Sequence, residues 1–143
     1  MELSIPRKLR GWNEPGDIRF VILHDQDNKD CVTLKKQLLE ICQKNSERPF
    51  IVRIACQELE AWYFGDLNAL AQAYGKPKLR RLTHQRKFRV PDSIPMPKEI
   101  LQKLLPEYQE ISGAQKIAPL MDIEQNVSTS FRQFVKGVRR LAI

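Results

Sequence analysis

Two short apolar runs separated by a helical pattern constrain the fold of this chain more than any other feature. Residues 18–23 (IRFVIL) and 50–55 (FIVRIA) have the length and composition of strands covered on both faces. Between them, apolar residues recur at helical spacing at Leu34, Leu38, Ile41 and Cys42. A strand–helix–strand crossover is right-handed and pairs its strands in parallel. The sequence therefore predicts an α/β fold with a small parallel sheet flanked by helices.

The rest of the chain is predicted to be largely helical. Helical patterns occur at residues 4–11, 58–64, 67–74, 97–105 and 128–141. Asp66 is placed to cap the helix that follows it. Residues 76–97, which are rich in proline and basic side chains, are predicted to form a long loop. We expect one domain with an α/β core at 1–75 and a basic loop and helical C-terminal part at 76–143.

A sheet of only two strands is marginally stable, and this raises the question of what completes it. Either a partner chain, such as a second copy, adds its strands, or a strand is encoded upstream of Met1. If the missing strand is encoded upstream, the core lacks its N-terminal strand.

Composition places the chain among ordinary globular proteins. It is 42% hydrophobic and 29% charged, and no apolar run is long enough to cross a bilayer. The N-terminus MELSIPRKLR lacks a secretory apolar region, so we expect a cytoplasmic protein without membrane contact. Cys31, Cys42 and Cys56 are widely spaced and are predicted to be reduced packing residues.

The segment His24-Asp25-Gln26-Asp27 follows the first predicted strand, where ligands bind in open α/β sheets. In extended geometry, Asp25 and Asp27 would project to the same side, about 7 Å apart at Cα. Converging carboxylates repel each other unless a cation lies between them, and Mg²⁺ or Mn²⁺ is the usual cation. The alternative is a solvated acidic turn, with Asp30 capping the next helix.

A second acidic pair, Glu58 and Glu60, follows the second predicted strand. Adjacent parallel strands end side by side, so these carboxylates could join the first pair. If a helix begins at Gln57, only one of them reaches inward, and glutamates in a first helical turn also simply favour the helix dipole. The predicted metal ligands are Asp25, Asp27, Glu58 and Glu60. Trp62 and Phe64 are predicted to be core residues, and His24 is interpreted as structural.

The chain carries a net charge of +7, and its basic residues are concentrated in one segment. Seven cations lie within residues 76–89 without an acidic residue, and we predict that they contact nucleic acid: Lys76, Lys78, Arg80, Arg81, Arg86, Lys87 and Arg89. His84 and Phe88 lie among these cations, and an aromatic ring could stack on a base. The last predicted helix has an apolar stripe opposite four cations, which we interpret as a solvated face.

Four segments of this chain resemble a bacterial family known as a domain of unknown function, DUF4276, which is regarded as Toprim-like. They are VILHDQDNKDC, VRIACQELEAWYFGDLNAL, GAQKIAP and SFRQFVKGVRRL. Toprim domains hold Mg²⁺ for phosphodiester chemistry through a DxD motif and a glutamate after an earlier strand. The resemblance matches Asp25 and Asp27 to the DxD, whereas no residue here matches the glutamate. It also implies an ATPase partner in an anti-phage defence module.

The leading hypothesis is a Toprim-like nuclease that hydrolyses DNA or RNA with Mg²⁺ or Mn²⁺. Asp25, Asp27 and Glu60 would be its catalytic residues, and the basic segment would bind the phosphate backbone. Two alternatives stay open. One is a nucleic-acid-binding or regulatory subunit without catalysis, and the other is a metal-dependent nucleotidyl or glycosyl transferase that uses the DxD.

Overall fold

The computed structural model of the protein describes residues 4–143. Its N-terminal half contains helix α1, strand β1, helix α2 and strand β2: Ser4–Gly11, Phe20–Asp25, Cys31–Asn45 and Phe50–Ala55. The two strands pair in parallel, in a register that runs from Phe20 opposite Phe50 to Asp25 opposite Ala55. The predicted α/β architecture with a small parallel sheet flanked by helices is therefore confirmed.

Burial of one face of the sheet explains why α2 forms and where it lies. Its buried residues Leu34, Leu38 and Cys42 follow helical spacing and pack against Val52 and Ile54 of β2. The helix begins after Asp30, whose carboxylate accepts hydrogen bonds from the Thr33 backbone N–H at 2.9 Å and the Thr33 hydroxyl at 2.7 Å. The predicted N-cap is therefore confirmed.

The other face of β1 differs from the prediction of a strand covered on both sides. Val21 and Leu23 are 43% and 38% exposed. Helix α7 (Thr129–Leu141) packs against β2 on the sheet. The apolar run predicted a strand but could not specify whether another element of the chain covers each face.

The C-terminal half is built from short helices around a second core. Helices α3, α4, α5 and α6 are Glu60–Phe64, Leu67–Tyr74, Pro97–Leu104 and Glu110–Ile117. Asp66 caps α4 as predicted, through a hydrogen bond from the Ala69 N–H at 3.1 Å. Its second oxygen accepts the Asp122 N–H at 2.7 Å, which ties α4 to the segment before α7. None of the helices within residues 4–143 combines the length and apolar character needed to cross a membrane.

The long loop predicted for residues 76–97 is instead a series of 3₁₀ helices, Pro77–His84, Arg86–Phe88 and Pro91–Ser93. Apolar side chains within this segment anchor it to the second core: Leu79, Leu82, Phe88 and Ile94. Proline at the first turn of two of these helices suits their start. The prediction of a loop was wrong because it rested on the proline and basic content of the segment and not on the spacing of these apolar residues.

The second core leaves no room for a side chain at Gly113 in α6. A Cβ there would lie 2.4 Å from Cε2 and 2.7 Å from Cδ2 of the buried Tyr108 ring. At Gly11, the last residue of α1, a Cβ would meet nothing within 4 Å. The two glycines form a matched pair for testing the packing around Tyr108.

We predict that Gly113→Ala lowers the free energy of unfolding by about 1–3 kcal/mol, because the ring must move to accept the methyl group. Gly11→Ala should be neutral or stabilising by up to about 1 kcal/mol, because alanine favours the helix. Urea unfolding followed by circular dichroism measures both. Equal stabilities of the two variants would contradict the packing described here.

Candidate active site

The loops that follow β1 and β2 are joined by hydrogen bonds at the carboxyl ends of the strands. The Gln26 N–H donates to the Ala55 carbonyl at 3.0 Å, and the Asp27 N–H donates to the Gln57 carbonyl at 2.7 Å. The Gln57 N–H in turn donates to Gln26 Oε1 at 3.1 Å. The backbone therefore holds both acidic segments at one edge of the sheet, as the parallel pairing predicted.

The extended geometry predicted between Asp25 and Asp27 is wrong. Asp25 is the last residue of β1, whereas Asp27 has a φ of 51° and lies in a left-handed turn. Gln57, in the facing loop, also has a positive φ of 62°. Asp27 is exposed and Asp25 is partly buried, so the two carboxylates lie in different environments.

The surroundings of Asp25 disfavour the ionised form of its carboxyl group. Its partial burial raises the pKa of its carboxyl to about 6, and the neighbouring carboxylates of Glu60, Asp27 and, more weakly, Glu58 contribute to this rise. A hydrogen bond from the Leu59 backbone acts in the opposite direction on this pKa. Glu60, Asp27 and Glu58 therefore lie close enough to Asp25 to influence its carboxyl group.

Glu60 reaches inward, as one of the two interpretations of this pair predicted. It is 4% exposed, and its Oε1 accepts a hydrogen bond from the Tyr108 hydroxyl at 2.8 Å. Burial and the Glu60 charge raise the pKa of Tyr63 to about 12. Burial, the hydrogen bond to Glu60 and the charge of Glu60 raise the pKa of Tyr108. Both tyrosines therefore stay protonated, and Tyr108 remains a hydrogen-bond donor to Glu60.

Glu58 has a structural contact that the sequence did not predict. Its Oε2 accepts the backbone N–H of Lys98 at 2.9 Å, in the first turn of α5. The N-cap residue of α5, Met96, makes no capping hydrogen bond with its side chain, so Glu58 supplies the acceptor from a distant part of the chain. One of its oxygens is thereby engaged away from Asp25.

The imidazole of His24 is buried, and its Nδ1 lies 2.6 Å from the Asp25 carbonyl oxygen. His24 pairs in register with Ile54 of β2 and follows Ile22 on the strand face that packs against α2. This placement agrees with the structural interpretation of His24.

A buried polar network near the site was missed by sequence reasoning. Trp62 Nε1 donates to the Ser130 hydroxyl at 2.6 Å, and Asp92 accepts the Ser130 N–H at 2.9 Å and the Ser128 hydroxyl at 2.6 Å. Asn126 donates to the Trp62 carbonyl at 2.9 Å. Asp92 and Asn126 lie in segments without a recognisable motif, so only the folded chain reveals their contacts.

Hard oxygen donors of this kind fit Mg²⁺ or Mn²⁺. Within residues 4–143, no three acidic, histidine or cysteine side chains converge closely enough to form a complete metal cage. Mg²⁺ is commonly held by one or two carboxylates together with waters and substrate phosphates, and it does not require such a cage. The raised pKa of Asp25 shows that its ionised form lacks sufficient compensation, and a divalent cation would supply it.

The structure distributes the predicted basic residues unevenly. Lys78, Arg80, Arg81, Arg86, Lys87 and Arg89 are exposed. Lys76 is partly buried and pairs with Glu107 at 3.0 Å. Phe88 is 4% exposed and packs 5.4 Å from the Phe64 ring, so the predicted stacking on a base is wrong.

A cavity of about 280 Å³ separates the basic segment, residues 76–89, from the start of α4. Its charged lining includes Arg80 and Arg89. The Arg89 Nε–H donates to the Thr83 carbonyl at 3.3 Å, which holds this arginine against the segment.

The fold and the site define an α/β protein in which residues 4–143 form a two-stranded parallel sheet with carboxylates near its carboxyl edge. A family model matches residues 4–139, and the chain belongs to that family, the domain of unknown function DUF4276. The match covers nearly the whole chain and names no activity. No curated protein and no solved structure matches this sequence.

We predict that Asp25→Asn raises stability relative to the natural chain at neutral and higher pH. The folded-state pKa of Asp25 is about 6 against an ordinary value of 3.8, so the folded state holds this proton more tightly. Asp25 therefore lowers the free energy of unfolding as pH rises through this interval, and the cost is fully present above about pH 6.

The melting temperature of Asp25→Asn should exceed that of the natural chain by a few degrees at about pH 8, and the difference should vanish near pH 4. Glu40→Gln removes an equal charge from the exposed face of α2 and serves as the control. A pH-independent difference for Asp25→Asn would show that Asp25 titrates normally.

Proposed function

We propose that this protein is a Toprim-like nuclease that hydrolyses phosphodiester bonds of DNA or RNA with Mg²⁺ or Mn²⁺. The observation that carries the proposal is the raised pKa of Asp25 at the carboxyl edge of the sheet, among three other carboxylates. Carboxyl groups with strongly shifted pKa values are enriched at functional sites. The resemblance of the DQD segment to the Toprim DxD supports the same assignment.

Asp25 and Asp27 would hold the metal, since both lie at the end of β1 and neither is used as a helix cap. Glu60 would add a buried negative charge near Asp25 while it accepts a hydrogen bond from Tyr108, and Glu58 would add a weaker contribution. When bound, the metal polarises the scissile phosphate and lowers the pKa of the attacking water. The protein itself positions the carboxylates through the hydrogen bonds between Gln26, Asp27 and Gln57.

The basic segment would bind the phosphate backbone of the substrate. Buried Leu79, Leu82 and Phe88 anchor the short helices of this segment, so the backbone that carries its exposed cations is ordered before a substrate arrives. Preorganised cations lose less conformational entropy on binding than those of a disordered loop. Phosphate contacts of this kind carry no sequence information, so we expect broad substrate use.

A nucleic-acid-binding or regulatory subunit without catalysis is the second candidate. The observation that favours it is the engagement of Glu58 and Glu60 by Lys98 and Tyr108, which leaves fewer oxygens for a metal. In this case, the basic segment would bind nucleic acid in the same way, and the carboxylates would mainly organise the fold.

We further propose a cytoplasmic location and an ATPase partner within an anti-phage defence module. The three unpaired cysteines agree with a reducing compartment. The ATPase and the defence role rest on the family resemblance alone. Co-purification of the chain with the product of a neighbouring ATPase gene would test the partnership.

We predict that Asp25→Asn abolishes Mg²⁺-dependent cleavage of a fluorescent oligonucleotide and leaves its binding intact. The loss should be on the order of 100-fold or more, because one source of charge stabilisation at the scissile phosphate is removed. Glu40→Gln, which changes the net charge equally, should cleave normally.

The comparison also separates the two candidate functions. Cleavage by the natural chain that is lost in Asp25→Asn supports the nuclease. Binding without cleavage by the natural chain, in Mg²⁺ and in Mn²⁺, would contradict the nuclease and favour the binding subunit.

We predict that Arg81→Ala combined with Arg86→Ala weakens binding to DNA or RNA at low salt. Each lost phosphate contact should also reduce the steepness of the salt dependence by about 1 in a plot of log K against log salt concentration. Lys36→Ala, which removes an exposed cation from α2, should leave both quantities unchanged. Fluorescence anisotropy at several salt concentrations measures the slope, and equal slopes for all variants would exclude the basic segment as the binding surface.

A further inference from the structure

Strand β1 presents a backbone edge with which no strand within residues 4–143 pairs. The N–H groups of Phe20 and Gln26 donate toward β2, to the carbonyls of Pro49 and Ala55. Backbone groups alternate along a strand, so those of the odd-numbered residues Val21 and Leu23 point away from β2. The sheet that residues 4–143 form has two strands, so no described strand pairs with this edge.

A groove of about 260 Å³ runs along the same edge, between β1 and α1. It is lined by the consecutive residues 20–24 of β1 and by Ile5, Lys8 and Leu9 of α1. Because side chains alternate between the two faces of a strand, a groove that touches every residue follows the edge of the strand. The side chains of Val21 and Leu23 are exposed beside it.

Open apolar edges of this kind are hazards, because they pair with other strands. Natural edge strands are usually protected by charge, proline or a covering element. Between its ends, β1 carries the residues VILH without lysine, arginine, acidic residue or proline. The strand itself therefore carries none of these protections, and its edge is open to a further strand beside α1.

We propose that a second copy of this chain occupies the edge, with β1 antiparallel to the partner's β1 in a four-stranded sheet. A two-fold interface must be complementary to itself. The odd-numbered residues, whose backbone groups face outward, must then pair with each other. Any register centred on a single residue meets this condition. Those centred on Ile22 or Leu23 overlap the most of Phe20–Asp25, and the one centred on Val21 is the next toward its start.

Charge selects among these registers. The register centred on Val21 places Asp25 opposite the partner's Asp17, so that two carboxylates meet. The register centred on Leu23 places Asp25 opposite the partner's Val21. The register centred on Ile22 places Val21 opposite the partner's Leu23, so that apolar residues pair in the middle of the interface. It also places Asp25 opposite the partner's Arg19, so that opposite charges pair at its ends.

Arg19 can accept this second neighbour. Its Nε and Nη2 donate to Asp17 at 2.9 and 2.7 Å, and its Nη1 donates to the Leu141 carbonyl. A guanidinium has five N–H donors, so donors remain beyond these three bonds. The dimer would thereby place an arginine of the partner beside the acidic strand end of each copy. The inference is independent of the nuclease proposal, because it rests on the strand edge alone.

Sedimentation velocity over a series of concentrations tests the dimer. We expect the natural chain to sediment at twice the mass of a single chain, and Leu23→Lys to sediment as a monomer, because a lysine on the edge blocks strand pairing. Val32→Lys adds the same charge at a residue of α2 that is 76% exposed, and should remain dimeric. A natural chain that is monomeric at every concentration would overturn the proposal.

A cross-linking experiment tests the register without disrupting the edge. Val21→Cys and Leu23→Cys chains are mixed under mild oxidation by air, which removes two hydrogen atoms from the thiol pair as the S–S bond forms. Peptide mass spectrometry should find the mixed 21–23 disulfide in excess, because these residues face each other in the Ile22-centred register. A predominance of 21–21 or 23–23 disulfides would refute this register.

Discussion

The parallel pairing of β1 and β2 brings the two acidic segments of the chain to one edge of a small sheet. Hydrogen bonds between Gln26, Asp27 and Gln57 then hold the loops together, and partial burial prevents water from fully solvating Asp25. The consequence is a carboxyl group whose pKa is raised to about 6. The functional proposal depends on this local excess of negative charge, which a divalent cation would neutralise.

The segment from Glu58 to Asp66 links this edge to the C-terminal half. Glu58 caps α5, Glu60 accepts from Tyr108, and Asp66 caps α4 while it also binds the Asp122 N–H. Gly65 leaves room for Asn126, since a Cβ would lie 2.1 Å from Asn126 Oδ1. The acidic residues of this segment therefore make hydrogen bonds that hold the fold together, and two of them, Glu58 and Glu60, also lie near the candidate metal site. Substitutions there will affect stability and activity together. Asp25 has no such capping role, so a substitution of Asp25 leaves these contacts intact and tests activity more directly.

Local patterns predicted much of the fold. The helical spacing of Leu34 and Leu38, the cap at Asp30 and the cap at Asp66 depend on neighbours in sequence, and the structure confirms them. The contacts of Glu58 with Lys98 and of Glu60 with Tyr108 join residues 40 and 48 positions apart, so no local pattern could specify them. The left-handed turn at Asp27 and the burial of Phe88 likewise depend on tertiary packing. The face of β1 that carries Val21 and Leu23 shows the converse case, because its apolar sequence predicted coverage that the chain does not supply between residues 4 and 143.

Calorimetry can test whether Asp25 takes part in binding a divalent cation. Mn²⁺ is titrated into the natural chain and into Asp25→Asn, at about pH 5 and at about pH 8. We expect the natural chain to bind the cation at the higher pH. Its affinity should fall at the lower pH, because the proton on Asp25 competes with the metal there. Asp25→Asn should bind at least about tenfold more weakly at the higher pH. Equal binding by the two chains, or no binding at either pH, would contradict a role of the Asp25 carboxylate in binding a cation.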